Sequence, residues 1–156
     1  MNSLRQQYQL VSERRSALFE YCESVQPDHF TEALPAFANR SMCGLLVHVA
    51  NVYRHWIAHF AAVADDPFVE RERVRDVSDV RLQFLQVDIS MGKFFDLYGG
   101  KTLITGKISG EDIPFTVTPL ELATHVLTHE FHHKGQVLSM SRFLGYTPID
   151  TDVIRF

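Results

Sequence analysis

The chain has 156 residues, a length that suits one domain and is sufficient to bury a hydrophobic core. Apolar residues make up 46% and charged residues 22%, which is ordinary globular usage and argues against disorder. The net charge of −4 argues against nucleic-acid binding, which needs basic residues gathered on one face. Arginines that alternate with acidic residues are instead interpreted as a solvated surface: Arg14, Arg15, Arg71, Arg73, Arg75 and Arg81.

Membrane and secretion signals are absent from the sequence. No stretch approaches the roughly 18 uninterrupted apolar residues of a membrane span. The first residues lack the basic start and apolar run of a signal peptide. The two cysteines, Cys22 and Cys43, do not make a disulfide framework. We therefore expect a cytoplasmic protein with two free thiols and no membrane partner.

Apolar spacing and capping residues predict a first pair of helices. The first helix covers residues 3–25 and ends before Pro27. A connection with about one helical turn follows it. The second helix begins after the N-cap Ser41 and runs to about Ala64, with apolar residues on much of its circumference, as in the core of a bundle.

The third predicted helix opens at the N-cap Ser78 and ends near Tyr98, before a pair of glycines. Its apolar positions are Leu82, Leu85, Ile89, Phe94 and Phe95. Residues 101–117 then have a β-like composition. They are predicted to form either a short hairpin around Ser109-Gly110 or an ordered crossover loop.

The last helix has the clearest start signal. Thr118 is an N-cap, Pro119 occupies the first helical position and Glu121 completes a capping box. The helix is predicted to run to about Leu144, where Gly145 can end it. The tail that follows keeps apolar residues and is expected to pack back. Four helices with one long crossover predict an all-α four-helix bundle, a single domain over the whole chain.

Histidine is unusually frequent, with eight residues, seven of them in two short segments. His129 and His133 are four apart, so they lie roughly 40° apart around a helix and can hold one cation. His125 and His132 are close enough that helical geometry does not choose among the four. A third ligand must come from another helix, and the second helix offers three histidines on one stripe: His48, His55 and His59.

Residues 129–133 also spell His-Glu-x-x-His, the motif of zincin peptidases, in which Glu130 would be the general base. Neither Glu nor His follows His133, so the usual third ligand is missing, and only Asp150 or Asp152 could replace it. A peptidase is therefore a minor alternative. Glu130 is interpreted as a residue that supports the ligands or faces solvent.

The run HVLTHEFHHKGQVLSMSRFLGYTP resembles the signature of the DinB/YfiT-like superfamily, with His-x-x-x-His, a basic residue, Gly-Gln and a Leu-Gly turn. The segment LLVHVANVYRHWI matches as well, with a histidine early in its helix. This resemblance covers the whole chain and implies a bundle, commonly dimeric, with a three-histidine site for nickel or zinc. It selects His48, His129 and His133 as ligands. Four neighbours are candidates for supporting them: His125, His132, Gln136 and Glu130.

Three neutral imidazoles leave a coordination position open, as in catalytic zinc sites. Because some relatives are thiol-dependent S-transferases or isomerases, the resemblance implies a metal-dependent thiol S-transferase or a hydrolase. Such an enzyme would act on a small molecule with a low-molecular-weight thiol as cofactor. The alternative is a non-enzymatic metal-binding stress protein that acts as a homodimer. Imidazole ligands suit nickel and zinc alike.

Overall fold

A computed structural model describes residues 2–107 and 113–154. Within these residues the chain is mostly helical, with five α-helices: α1 (Asn2–Glu23), α2 (Pro27–Thr31), α3 (Met42–Tyr53), α4 (Val77–Tyr98) and α5 (Pro119–Phe143). Three irregular helical segments lie between them: 3₁₀ turns at Pro35–Phe37 and Arg71–Arg73, and a π-helical segment at Arg54–Phe60. The predicted all-α bundle is confirmed. None of the described helices combines the length and apolar character needed to cross a bilayer.

The crossover between α4 and α5 contains the hairpin that the sequence allowed. Strand β1 (Ile104–Lys107) pairs antiparallel with β2 (Pro114–Val117). The turn expected at Ser109-Gly110 lies outside the described residues. Gly106 packs against the π-helical segment so closely that an added Cβ would stand 2.4 Å from the carbonyl oxygen of Phe60. The hairpin can therefore dock there only with glycine at this position.

The start and end of α5 follow the sequence prediction. The Thr118 hydroxyl accepts a hydrogen bond from the Glu121 amide, and the Glu121 carboxylate accepts one from the Thr118 amide, which completes the capping box. The helix ends at Phe143, and Gly145 follows with a φ of 92°, a conformation that glycine adopts without strain. The tail packs back as expected, because buried Lys134 donates to the carbonyl oxygen of Thr151.

The α4 helix differs from its prediction at the cap. Asp76, not Ser78, accepts the hydrogen bond from the Asp79 amide at 2.9 Å, so the helix begins earlier. Both residue types are good caps, and the earlier start allows Val77 to be buried.

The predicted apolar face of α4 is also partly wrong. Leu82, Leu85 and Ile89 are 57%, 55% and 51% exposed. These three side chains fall within roughly 60° of one another around the helix, so they form one apolar stripe. Phe94 and Phe95 are buried as expected, and the rest of the face that packs into the core is formed by Val77, Val80, Phe84, Val87 and Met91.

One charged network lies at the centre of the bundle. Arg15, only 3% exposed, forms two hydrogen bonds to Glu130 on α5, at 2.9 and 3.0 Å. The same guanidinium bonds Asp88 of α4 at 2.7 Å, and Tyr53 of α3 donates to Glu130 at 2.6 Å. Tyr8 of α1 also donates to Asp88. Each of the four long helices thus contributes to this network, and Arg15 is a core residue rather than the solvated one expected.

The network is satisfied as a charged unit. Burial and the charge of Glu130 raise the pKa of Tyr53 well above its usual value, so this phenol remains a proton donor. Arg15 also lies over the ring of Phe84, 4.5 Å from its centroid. Since a buried charge that loses its partner is strongly destabilising, removal of either partner should affect the whole bundle.

Replacing Glu130 by leucine should therefore lower the free energy of unfolding by about 3–5 kcal/mol, because Arg15 loses its main buried counter-charge. Urea unfolding measures this difference. The control is Glu23→Gln, which removes the surface partner of Arg81 and should cost about 1 kcal/mol or less. Equal effects of the two substitutions would contradict the importance of the buried pair. The double variant Arg15→Met with Glu130→Leu should recover part of the loss.

Candidate metal centre

Three histidine side chains from two packed helices meet at one point on the bundle. His48 extends from α3, and His129 and His133 extend from successive turns of α5. The Nε2 atoms of His48 and His129 are 3.1 Å apart. The ring centroids of His48 and His133 are 4.9 Å apart, and those of His129 and His133 are 4.5 Å apart. One ligand atom from each histidine lies within 4.8 Å of those from the other two.

The distance between His48 and His129 fits two nitrogens bound to one transition-metal ion. Two nitrogens bound at about 2.05 Å stand roughly 2.9 Å apart at a right angle and roughly 3.3 Å apart at the tetrahedral angle. The 3.1 Å between His48 and His129 falls inside that range. Among the residues that the structure describes, these three are the His, Cys, Asp or Glu side chains that lie close enough together to hold an ion.

The orientation of His133 is set by its neighbour one turn along α5. The Nδ1 atom of His133 lies 2.7 Å from the side-chain oxygen of Gln136. Because that oxygen only accepts, Nδ1 carries the proton and the lone pair resides on Nε2. The Gln136 amide group in turn lies 3.2 Å from Nε2 of His132. The Gln136 side chain therefore links His132 and His133.

The electrostatic surroundings keep the three rings neutral. Burial lowers the pKa of His48, and the charge of Arg40 lowers it further. Burial, followed by the neighbouring histidines, lowers the pKa of His129 to about 4. Burial also lowers the pKa of His133, although the hydrogen bond to Gln136 opposes this effect. At neutral pH each ring therefore offers a lone pair, which is the form that binds metal.

The other histidines of the second predicted helix lie apart from this point. His59 bonds the carbonyl oxygen of Asp66 at 2.8 Å, and His55 stacks on Phe68. The expected single stripe is wrong because the chain changes to π-helix at Arg54. Bonds to the fifth residue make each residue turn by less than the roughly 100° of an α-helix, so the angular offset from His48 grows along the segment and is larger for His59 than for His55.

Two further histidines lie outside the group of three. His125 lies one turn before His129, with ring centroids 6.0 Å apart, and packs edge-on against Trp56. It is exposed and borders the site without joining the group. His29, which lies outside the two histidine-rich segments, contacts the hydroxyl of Tyr146 at 2.8 Å.

Glu130 does not face the histidines. It is 4% exposed, and both of its oxygens bond Arg15 and Tyr53 inside the bundle. Of the two interpretations of Glu130, exposure to solvent is wrong, and both carboxylate oxygens are engaged by Arg15 or Tyr53 rather than available to act as a general base. The His-Glu-x-x-His spelling therefore carries no peptidase chemistry here. Asp150 and Asp152 lie in the tail, outside the group of close ligands.

A cleft opens beside His133. Its volume is about 460 Å³, and it lies between the start of α3 and the outer face of α5. We call it the Arg40 cleft, defined by Ala36, Phe37, Ala38, Arg40, Leu45, His132, His133 and Gln136. Sequence reasoning missed Arg40, because no motif marks it. The sequence offered one signal: Arg40 directly precedes Ser41, the N-cap of the helix that carries His48.

Comparison with protein families supports the resemblance seen in the sequence. The model of the DinB family matches the chain over residues 1–156, its full length. The curated proteins contain no match to the chain.

Lowering the pH should destabilise the metal-free protein through His129. Its folded-state pKa of about 4 lies below the ordinary value of 6.5, so the unfolded chain takes up the proton first. This contribution to stability is full above pH 6.5 and is lost as the pH falls towards about 4. Urea unfolding between those limits should show a shallower decline for His129→Gln than for wild type. The exposed control His59→Gln should decline as wild type does, and parallel curves for all three would refute the effect.

Proposed function

The chain belongs to the DinB family, and from that premise we propose that it is a divalent-metal enzyme whose ligands are His48, His129 and His133. The observation that carries this proposal is the convergence of three neutral imidazoles from two helices. The ion we propose is nickel or zinc, since imidazole ligands suit both. In this proposal the reaction takes place on the open side of the metal site.

The reaction we propose is the transfer of a low-molecular-weight thiol to a small electrophile, with hydrolysis as the second possibility. A divalent ion in this ligand set supplies a Lewis acid that keeps a thiol deprotonated at neutral pH. In the transfer the S–H bond is replaced by an S–C bond, and the leaving group departs as its conjugate acid.

The surroundings of the histidines favour an enzyme over a closed metal store. His48 is exposed, so protein does not cover that side of the group. The Arg40 cleft adjoins His133 and has polar side chains facing it, those of Arg40, His132 and Gln136. A protein that only stored metal would have no need of such a space. Gln136 holds the His133 ring in the tautomer whose Nε2 can bind the ion.

A homodimer is the second part of the proposal. The stripe formed by Leu82, Leu85 and Ile89 is an apolar surface on the outside of α4, and such surfaces favour association. This stripe also supports the alternative function, a metal-binding stress protein that acts through its dimer without turnover. The two functions differ in whether thiol is consumed.

Metal binding can be tested one ligand at a time. Wild type offered Zn²⁺ or Ni²⁺ should bind one ion per chain, and His133→Ala should lose this binding. Gln136→Leu should weaken binding about 10–100-fold, because groups that orient a ligand contribute this much. The exposed His59→Ala is the control and should bind as wild type does. Calorimetry and elemental analysis supply the stoichiometry, and failure of wild type to bind either ion would overturn the proposal.

Turnover is tested on the loaded protein with glutathione or cysteine and a panel of alkylating electrophiles. Loss of free thiol that requires the metal and disappears in His133→Ala supports the transferase. Full metal loading with no thiol consumed and no ester hydrolysed would instead favour the non-enzymatic alternative.

The dimer is tested by introducing charge into the stripe. Leu85→Glu should convert a dimeric wild type into monomers, because a buried unpaired carboxylate would oppose association. Leu120→Glu, at an exposed leucine of α5, is the matched control and should leave the dimer intact. Light scattering coupled to size-exclusion chromatography measures both masses. A monomeric wild type, or a dimeric Leu85→Glu, would contradict the proposed interface.

A further inference from the structure

The Arg40 cleft has one sign of charge. Arg40 is its one cationic side chain apart from histidine, and no carboxylate is among its lining residues. The chain as a whole carries a net charge of −4, so this basic character is local. Within the described residues, the Arg40 guanidinium takes part in no ion pair of the kind seen for Arg15 or Arg54.

The backbone holds Arg40 beside the cleft. Arg40 accepts a hydrogen bond on its carbonyl oxygen from the Leu34 amide at 3.0 Å. The two residues that precede it, Ala38 and Asn39, have φ values of 54° and 57°. These values lie in the left-handed region, which non-glycine residues enter at a cost in free energy. Ser41 then caps α3. Arg40 therefore stands between a tight turn and a helix start, both of which restrict its main chain.

The guanidinium is close enough to influence the histidine group. Its charge contributes to lowering the pKa of His48 and of His133, which lie on different helices. Arg40 and His133 also line the same cleft. A molecule that reached the histidines through the cleft would pass this side chain.

We propose that the Arg40 cleft binds a carboxylate of the thiol whose sulfur reaches the open position beside His48, His129 and His133. This inference rests on the proposed function. It names the class of thiol, a mercaptocarboxylate, and it assigns Arg40 as the residue that selects it. Arg40 presents a planar fork of donors that matches a carboxylate, and such charge-assisted pairs are about twice as strong as neutral ones.

The test uses the full chain loaded with Co²⁺, whose visible spectrum changes when sulfur binds. Two probes are titrated, 3-mercaptopropionate and the uncharged 2-mercaptoethanol, which differ at the carboxylate. Wild type should bind the acid about tenfold more tightly or better, since a charge-assisted hydrogen bond is worth about 1.5–3 kcal/mol. Arg40→Met should lose this preference and bind the two probes with equal affinity.

Two controls separate Arg40 from general charge effects. Arg75→Met removes a highly exposed arginine at the start of α4 and should keep the tenfold preference. Arg40→Lys retains the charge without the fork and should recover only part of it.

The outcomes distinguish this inference from the function on which it rests. If the protein takes up no metal, or takes it up but binds neither probe, both the thiol enzyme and the carboxylate site are overturned. If 2-mercaptoethanol binds and the acid binds no better, the carboxylate site alone is overturned. It is overturned in the same way if Arg40→Met keeps the preference for the acid.

Discussion

The buried pair of Arg15 and Glu130 is the interaction on which the arrangement of the bundle depends. Glu130 is adjacent to His129, so the direction in which it points sets the rotation of α5 about its axis. Because neighbouring residues differ by roughly 100°, turning Glu130 towards α1 turns His129 and His133 towards α3. Tyr53 bonds the same carboxylate from α3, the helix that carries His48. One rotation of α5 about its axis therefore fixes both the charged core and the histidine group.

This constraint explains why the His-Glu-x-x-His motif occurs in this chain without the function that it has in zincin peptidases. In a zincin, the glutamate of His-Glu-x-x-His shares the solvent side of the metal with the substrate. Here the same letters place Glu130 in the core, where it is the counter-charge of Arg15. The heptad-like spacing of α1 contained the clue. Leu4, Tyr8, Val11 and Leu18 are buried on one face, and Arg15 falls on the same face.

Local signals in the sequence predicted local structure well. The caps of α5 and the pairing of His129 with His133 need only the spacing of a single helix, and both are found. The hairpin was foreseen as one of two possibilities. The choice of His48 needed the family resemblance, because helical spacing alone placed His55 and His59 on the same stripe. The π-helical segment that begins at Arg54 changes this spacing, and no motif in the sequence marks it.

Contacts between distant residues that neither a motif nor the resemblance marked are the ones that escaped prediction. Arg40 and Gln136 are 96 positions apart, the difference between their numbers, yet they line one cleft. The histidines also differ in exposure: His133 is buried and held by Gln136, whereas His48 is exposed. Of the three histidines, His133 lines the cleft that Arg40 also lines, so an ion held by the group would border the side on which Arg40 lies. Ligand exchange and anion recognition would then occur on the same side of the site, which is the arrangement required if the entering molecule carries both a metal-binding atom and a negative charge.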